Sequence, residues 1–448
     1  MGHLVRNFSL VALACLFLTA CEKSSDDHGP KLGKAKDLLW LSPDVQPETF
    51  RNIDKLFETR SIKCGEQVYP LPYSDSMLTS VTYTPDAEHA YTIGDFMARN
   101  KVAGLLIIKD GKIVLERYGL GSTEHSKWVG FSTTKSVVST LIGIAIQDGK
   151  ITSVNDQVVD YLPQLTGTAY DGVRIIDLLQ MSSGVAWNED YLDPNSDILA
   201  IFDCILNKES GGILNYMAGL ERVAAPGTQY VYKTGETHVE AEVLKSVLQG
   251  ETISDYFSRK IWANMGMEAD ANWLLESKNG TEFGGGLISM TLRDYGRFGL
   301  FMLNNGRVNG TALLPPDWVA NVTTPPADAP QCACGALYSP ANAGEEAYAY
   351  PLGYSYNWWP FPSDTMGSWS HLNDPTWWGS DAIWVSDPYL TNLLGTYTAQ
   401  GIFGQFIHIN PKENMVTIVL SAWETPWIDP KEFETYSFID AAVYALKR

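Results

Sequence analysis

The stretch AGLLIIKDGKIVLERYG (Ala103–Gly119) holds two apolar, β-rich runs on either side of Asp110-Gly111. A dipeptide of that type between such runs is a strong signal for a tight β-hairpin. Near the C-terminus, GQFIHINPKENMVTIVLSAW (Gly404–Trp423) places two more β-rich runs around Pro411–Asn414 and predicts a second hairpin. Between the hairpins the apolar spacing changes to that of helices. Phe131–Gln147 has apolar residues at 137, 138, 141, 142, 144 and 146, with the breaker Asp148-Gly149 behind it. Further helices are expected near 174–181, 236–249, 252–265 and 291–304, and an amphipathic one ending in basic residues over about 430–448. Strands at both ends of the chain and a helical body between them predict a discontinuous α+β fold: an antiparallel sheet flanked by N- and C-terminal helices, plus an inserted, mostly helical part. The sheet part is expected over about 37–125 and 385–448, the helical part over about 126–384. A cleft between the two is the default place for a site. The chain has no internal repeat.

The first twenty residues stand outside this pattern. Arg6 precedes the short apolar run LVALACLFL (Leu10–Leu18), which ends in LTAC (Leu18–Cys21). The run is too short to span a bilayer comfortably and reads as an export signal. The small residues before Cys21 resemble a bacterial lipoprotein cleavage box. That resemblance implies removal of residues 1–20, lipidation of Cys21, and a periplasm-facing lipoprotein anchored to a membrane of the bacterial cell envelope. An ordinary secretory signal cut nearby is the alternative. Residues 21–36 are polar and turn-rich and suit a flexible tether.

Charge and cysteines narrow the partners. A net charge of −20 without a basic cluster excludes a nucleic-acid footprint and disfavours polyanions, leaving small neutral or amphipathic molecules. Beyond Cys21 there remain Cys64, Cys204, Cys332 and Cys334. They lack paired CxxC spacing and no histidine cluster accompanies them, so no metal is expected.

Candidate chemistry starts within FSTTKSVV. Ser132-Thr-Thr-Lys135 is the only Ser-x-x-Lys in the chain. On a helix, residues i and i+3 share a face, so Lys135 can reach Ser132. The helix N-terminus favours negative charge developing on Ser132, and burial would lower the lysine pKa enough for it to accept a proton. A capping serine followed by a solvated lysine explains the same four residues. Downstream, PGTQYVYKTGETHVEAEVL (Pro226–Leu244) runs from a turn into a helix and leaves Tyr232 on an irregular segment, where a phenol can act as a general acid–base. Simple packing of an aromatic ring is the alternative there. In YTAQGIFGQFIHI (Tyr397–Ile409), Gly401 and Gly404 permit close backbone approach, and the N–H groups of Ile402 and Ser132 can form an oxyanion hole. Trp358, Trp359, Trp369, Trp377, Trp378 and Trp384 crowd one segment and read either as an aromatic wall or as local packing. His371 and Asp374 lie among them, without spacing that demands catalysis. No G-x-S-x-G elbow supports a conventional histidine triad.

These segments, in this order, resemble the penicillin-recognising serine hydrolases: class C β-lactamases, DD-peptidases and related esterases. Within that group GFSTTKSVVSTLIG, LLQMSSGVAWNEDY, YKTGETHVEAEVL and GGGLISMTLRDYGRFGL resemble the branch that contains 6-aminohexanoate-dimer hydrolase. The resemblance implies Ser132 as the acylated nucleophile, Lys135 as its base, Tyr232 as the second acid–base group and Tyr191 as a substrate contact. It implies ester or amide hydrolysis through an acyl-enzyme with no cofactor. Two departures qualify it. The family's Tyr-x-Asn is Tyr232-Lys233-Thr234, which leaves Thr234 as the substrate-facing residue. The Lys-Thr-Gly strand is replaced by Ala399-Gln400-Gly401, which removes a cation for a β-lactam carboxylate while keeping Gly401 beside the substrate. β-Lactamase or DD-peptidase activity is therefore expected to be weak, and a non-catalytic peptidoglycan-binding relative is the alternative from another class.

Overall fold

The computed structural model describes residues 31–85, 89–325, 329–330, 352–361 and 388–448, with short strands at 337–338, 347–349 and 382–384. Cys21, Cys332, Cys334, Trp369, His371, Asp374, Trp377, Trp378 and the side chain of Trp384 lie outside the described residues. No helix among the described residues is long and apolar enough to cross a membrane.

The first hairpin forms as its turn residues demand. Asp110 and Gly111 take φ of 52° and 76°, the paired left-handed conformations of a two-residue turn, and join β1 (Val102–Lys109) to β2 (Lys112–Tyr118). They belong to an antiparallel six-stranded sheet with β3 (Trp359–Pro360), β4 (Tyr397–Gly401), β5 (Gln405–Asn410) and β6 (Met415–Ser421), in the order β3-β4-β5-β6-β1-β2. Thus the two hairpins read from opposite ends of the sequence pair side by side, with Leu105 opposite Val419.

β1 is apolar without alternation because both of its faces are covered. Leu106 and Ile108 enter one core with Leu292 and Phe298 of helix Leu292–Leu303. Leu105 and Ile107 enter the other with Phe438 and Ile439 of the C-terminal helix Asp429–Leu446. There Phe96, from helix Ile93–Arg99, stacks on Phe438 at 4.1 Å. The predicted helix after Ser132 is α1 (Thr133–Gln147), buried along nearly its whole length. The one after Tyr232 is α2 (Thr234–Val247), which packs beside it.

Two features differ from the sequence reading. A second, four-stranded antiparallel sheet joins Thr59–Ile62 of the N-terminal stretch to Ala271–Leu274, Ile288–Thr291 and Lys127–Val129 of the mostly helical part. Its strands are three or four residues long, too short for period-two alternation to stand out. The N-terminal stretch also does more than edge the sheet. A 3-10 turn at Ala35–Trp40 and a helix at Gln46–Arg51 reach the segment that carries Ser132. Phe50 sits at the meeting point, with ring centroids 5.6 Å from Trp128, 4.9 Å from Phe131 and 5.2 Å from Phe403. Phe131 and Phe403 both have left-handed backbones (φ 46° and 62°), which costs a bulky residue about 1–3 kcal/mol each unless its surroundings hold it. Their rings lie 5.2 Å apart with Phe50 against both. Replacing the fully buried Phe50 by alanine is expected to cost about 3–5 kcal/mol of stability, measured by chemical denaturation; a loss below 1 kcal/mol would remove its role as the wedge.

Candidate active site

Ser132 joins the strand Lys127–Val129 to α1. That strand is anchored by Gly130 N–H donating to Ile288 C=O at 2.8 Å. The backbone of Ser132 is already helical (φ −67°, ψ −9°) and its side chain makes no capping hydrogen bond. Its hydroxyl lies instead 2.9 Å from Lys135 Nζ. Lys135 is 1% exposed, so the cap-with-solvated-lysine reading does not hold.

The amine is placed by a second contact: Nζ donates to the Gly285 C=O at 2.7 Å. Gly285 needs to be small there, since a Cβ would fall 2.5 Å from the Thr234 methyl. With both close partners uncharged, burial pushes the Lys135 pKa down to about 8, and the carboxylates of Glu189 and Glu240 pull it back only in part. Once the amine is neutral, one N–H remains committed to Gly285 while its lone pair can accept the Ser132 proton. This is the geometry of an activated nucleophile.

Tyr232 occupies the irregular segment ahead of α2, as its sequence context predicts. Its ring lies 5.0 Å from Lys135 Nζ, and it lines the same cavity as Ser132. Trp359 stacks on the ring at 5.8 Å and Tyr354 meets it edge-on at 6.0 Å. Burial first, then the charge of Glu189, raise the phenol pKa above the usual tyrosine value, against a smaller opposing effect of the nearby Ser132 hydroxyl. Tyr232 therefore keeps its proton at neutral pH, whereas the Lys135 amine can lose its own near pH 8.

Opposite Ser132, β4 ends at Gly401. A Cβ on Gly401 would sit 2.4 Å from the Gly130 carbonyl oxygen, so only glycine lets the strand end approach the nucleophile's loop so closely. This brings Ile402 to the same cleft as Ser132. Among the described residues neither backbone N–H has a hydrogen-bond partner, which leaves both available to an oxyanion.

A cavity of about 270 Å³ opens from this point, bounded by Ser132, Tyr191, Tyr232, Ile402 and others. Thr234 does not offer its hydroxyl to that space: its Oγ1 and N–H both donate to Glu189. Tyr191 donates at 3.0 Å to Glu189 Oε1, the same oxygen that accepts the Thr234 hydroxyl. Glu189 is thus the organiser of this wall, together with the Trp187 indole N–H that it accepts. Sequence reasoning passed over Glu189 although it lies two residues before Tyr191. Its contact to Thr234 spans 45 positions, and loop residues carry no periodic signal. Trp359, one of a crowded set, lines the cleft, whereas Trp358 is fully buried in the core.

Residues 90–436, most of the chain, match the Beta-lactamase family. The chain belongs to this family. A curated relative, the 6-aminohexanoate-dimer hydrolase of Paenarthrobacter ureafaciens, is 23% identical over 393 residues, covering 86% of this chain and 88% of that protein. The Bacillus anthracis protein assigned as a 6-aminohexanoate-dimer hydrolase superposes with a TM-score of 0.72 at 19% identity, covering 94% of this chain and 98% of the other. A family VIII carboxylesterase superposes at 0.52 with 15% identity, over 79% and 96% of the two chains. These likenesses show a β-lactamase-like α+β fold.

Because only neutral Lys135 can accept a proton, the reactive fraction falls about tenfold for each pH unit below its pKa. For a neutral ester, kcat/KM is expected to rise with pH through a midpoint near 8 and then level off. A midpoint at about 6.5, the histidine value, would assign the base elsewhere.

Proposed function

We propose that the protein hydrolyses an uncharged or cationic ester or amide through a covalent acyl-enzyme on Ser132. The observation that carries this reading is the buried amine of Lys135, 2.9 Å from the Ser132 hydroxyl and fixed from behind by a carbonyl. Ser132 attacks the carbonyl carbon and its proton passes to Lys135. The oxyanion rests on the Ser132 and Ile402 N–H groups. As the intermediate collapses, Tyr232 gives its proton to the departing oxygen or nitrogen, and the proton held by Lys135 replaces it. Water then attacks the acyl-enzyme with the same groups acting in reverse, and Ser132 is regenerated. No step calls for a cofactor.

The charge around the cleft supports a restriction on the leaving group. Glu189, Asp429 and Glu432 line the cavity that contains Tyr232. Ala399 stands where β-lactamases have the Lys-Thr-Gly lysine, and the amide of the next residue, Gln400, donates to Glu432 at 3.0 Å and to the Tyr436 hydroxyl at 2.6 Å. A carboxylate on the leaving side would meet repulsion instead of a cation. This favours an esterase or amidase over a β-lactamase or DD-peptidase.

With purified protein, a fluorophosphonate probe is expected to label wild type stoichiometrically and Ser132→Ala not at all. The variant should lose activated-ester turnover by at least about 10³-fold. A chromogenic cephalosporin should be turned over far more slowly than a neutral ester. Equal labelling of the two proteins would exclude the acyl-enzyme, and rapid cephalosporin turnover would overturn the leaving-group restriction.

We also propose that Cys21 is lipidated and holds the enzyme at a membrane facing the periplasm, a reading supported by LTAC and the short apolar run before it. Metabolic labelling with radioactive palmitate in a bacterial host should mark wild type but not Cys21→Ser, and equal incorporation would reject it.

A further inference from the structure

A second cavity meets the first at Ser132, Tyr191 and Ile402 but has different walls. It is narrow, about 40 Å³, and its lining includes Leu38, Leu39, Ile201, Phe202 and Leu287. It contains none of the carboxylates of the first cavity. Thr234 borders it with its hydroxyl already donated to Glu189, so this wall offers a substrate no free polar group either.

The two cavities are not interchangeable, because the position of Tyr232 gives the cleft a direction. The leaving atom needs the Tyr232 proton, and Tyr232 lines only the first cavity. The leaving group therefore goes there, beside Glu189 and Glu432. With the carbonyl carbon at Ser132 Oγ and its oxygen toward the Ile402 N–H, the remaining substituent of the carbonyl is directed to the second cavity. We propose that this apolar cavity is the acyl pocket and that the acyl group is an unbranched aliphatic chain without a charged end. This assignment rests on the hydrolase reading above and adds to it which half of the substrate must be apolar.

The wall also has an unusual source. Leu38 and Leu39 come from the 3-10 turn Ala35–Trp40, upstream of the residues that match the family. They are 1% and 6% exposed, held against the main core instead of trailing from it. An ionised acyl terminus in this slot would be desolvated without a partner, whereas each methylene that enters leaves water for an apolar surface.

The test is a series of p-nitrophenyl acetate, butyrate, hexanoate, octanoate and trimethylacetate with the purified protein. Each methylene that fits should raise kcat/KM by about fourfold, so that hexanoate exceeds acetate by at least about tenfold and the branched trimethylacetate falls below butyrate. Leu39→Trp, which narrows the slot, should reduce the hexanoate-to-acetate ratio by about tenfold or more. Phe202→Ala, which widens it, should raise the octanoate-to-hexanoate ratio. Fluorophosphonate labelling of each variant reports whether its site is folded, and either variant that labels suffices for the test. Ester turnover with a flat chain-length series, or ratios that neither variant moves, would overturn the acyl assignment and leave the hydrolase reading standing. Absence of both labelling and turnover in wild type would overturn the hydrolase reading and this assignment with it.

Discussion

In the proposed reaction, Lys135 can take a proton from Ser132 near neutral pH only because water is kept from it. The cost of that exclusion falls on the fold. Between about 8 and the usual lysine pKa, the unfolded chain holds a proton that the native state does not, so stability rises with pH across that window. Below about 8 both states are protonated, and the buried ammonium costs the native state about 3 kcal/mol relative to an exposed lysine. The burial of α1 on nearly all sides, and the placement of Ser132 at its first turn, follow from this need. A partly solvated helix would restore the ordinary lysine pKa and leave the serine unactivated.

The amide pair opposite the lysine depends on a second constraint, which is steric. Phe131 precedes Ser132 and Phe403 follows Ile402, whose N–H groups are the proposed oxyanion donors, and both phenylalanines have positive φ. Phe50 contacts both rings and is fully buried. The aromatic trio thus ties the nucleophile's loop to the end of β4 across more than 250 residues of sequence, while Gly401 removes the side chain that would keep them apart. Desolvation sets the reactivity of the serine, and the aromatic wedge sets where its product charge is received.

The readable and unreadable parts of this site separate along the same physical line. Ser132 and Lys135 were legible because their relation is local, one helical turn on an apolar run. Tyr232 was legible because a turn precedes it and a helix follows, and Gly401 because glycines interrupt a β-rich run. The two hairpins and α1, α2 and the C-terminal helix were legible from periodicity. Glu189 was not, since its meaning lies in distant donors: the Thr234 backbone and hydroxyl, with the phenol of Tyr191 and the indole of Trp187. Leu38, Leu39 and Phe50 look like ordinary core residues near a terminus until tertiary packing brings them to Ser132. The short strands of the second sheet carry too few residues for a pattern. Local spacing therefore made the candidate catalytic residues legible, whereas the walls on either side of them arise from contacts between distant segments.

Glu189 shows why this division suits the chemistry. A carboxylate near the cleft raises the pKa of Lys135 and of Tyr232 alike. For the lysine this opposes the effect of burial and is the smaller influence, so the amine still reaches neutrality near pH 8. For the tyrosine it acts in the same direction as burial and keeps the phenol protonated. One charge thus acts on both groups in the same direction, keeping the phenol protonated while burial still lets the amine lose its proton near pH 8. By accepting the Thr234 hydroxyl, it also occupies the polar group that stands at the family's asparagine position. What the cleft then presents to substrate is a backbone oxyanion hole between an acidic side and an apolar side. The catalytic part of such a site requires only a carbonyl, so discrimination falls to the groups attached on either side of it.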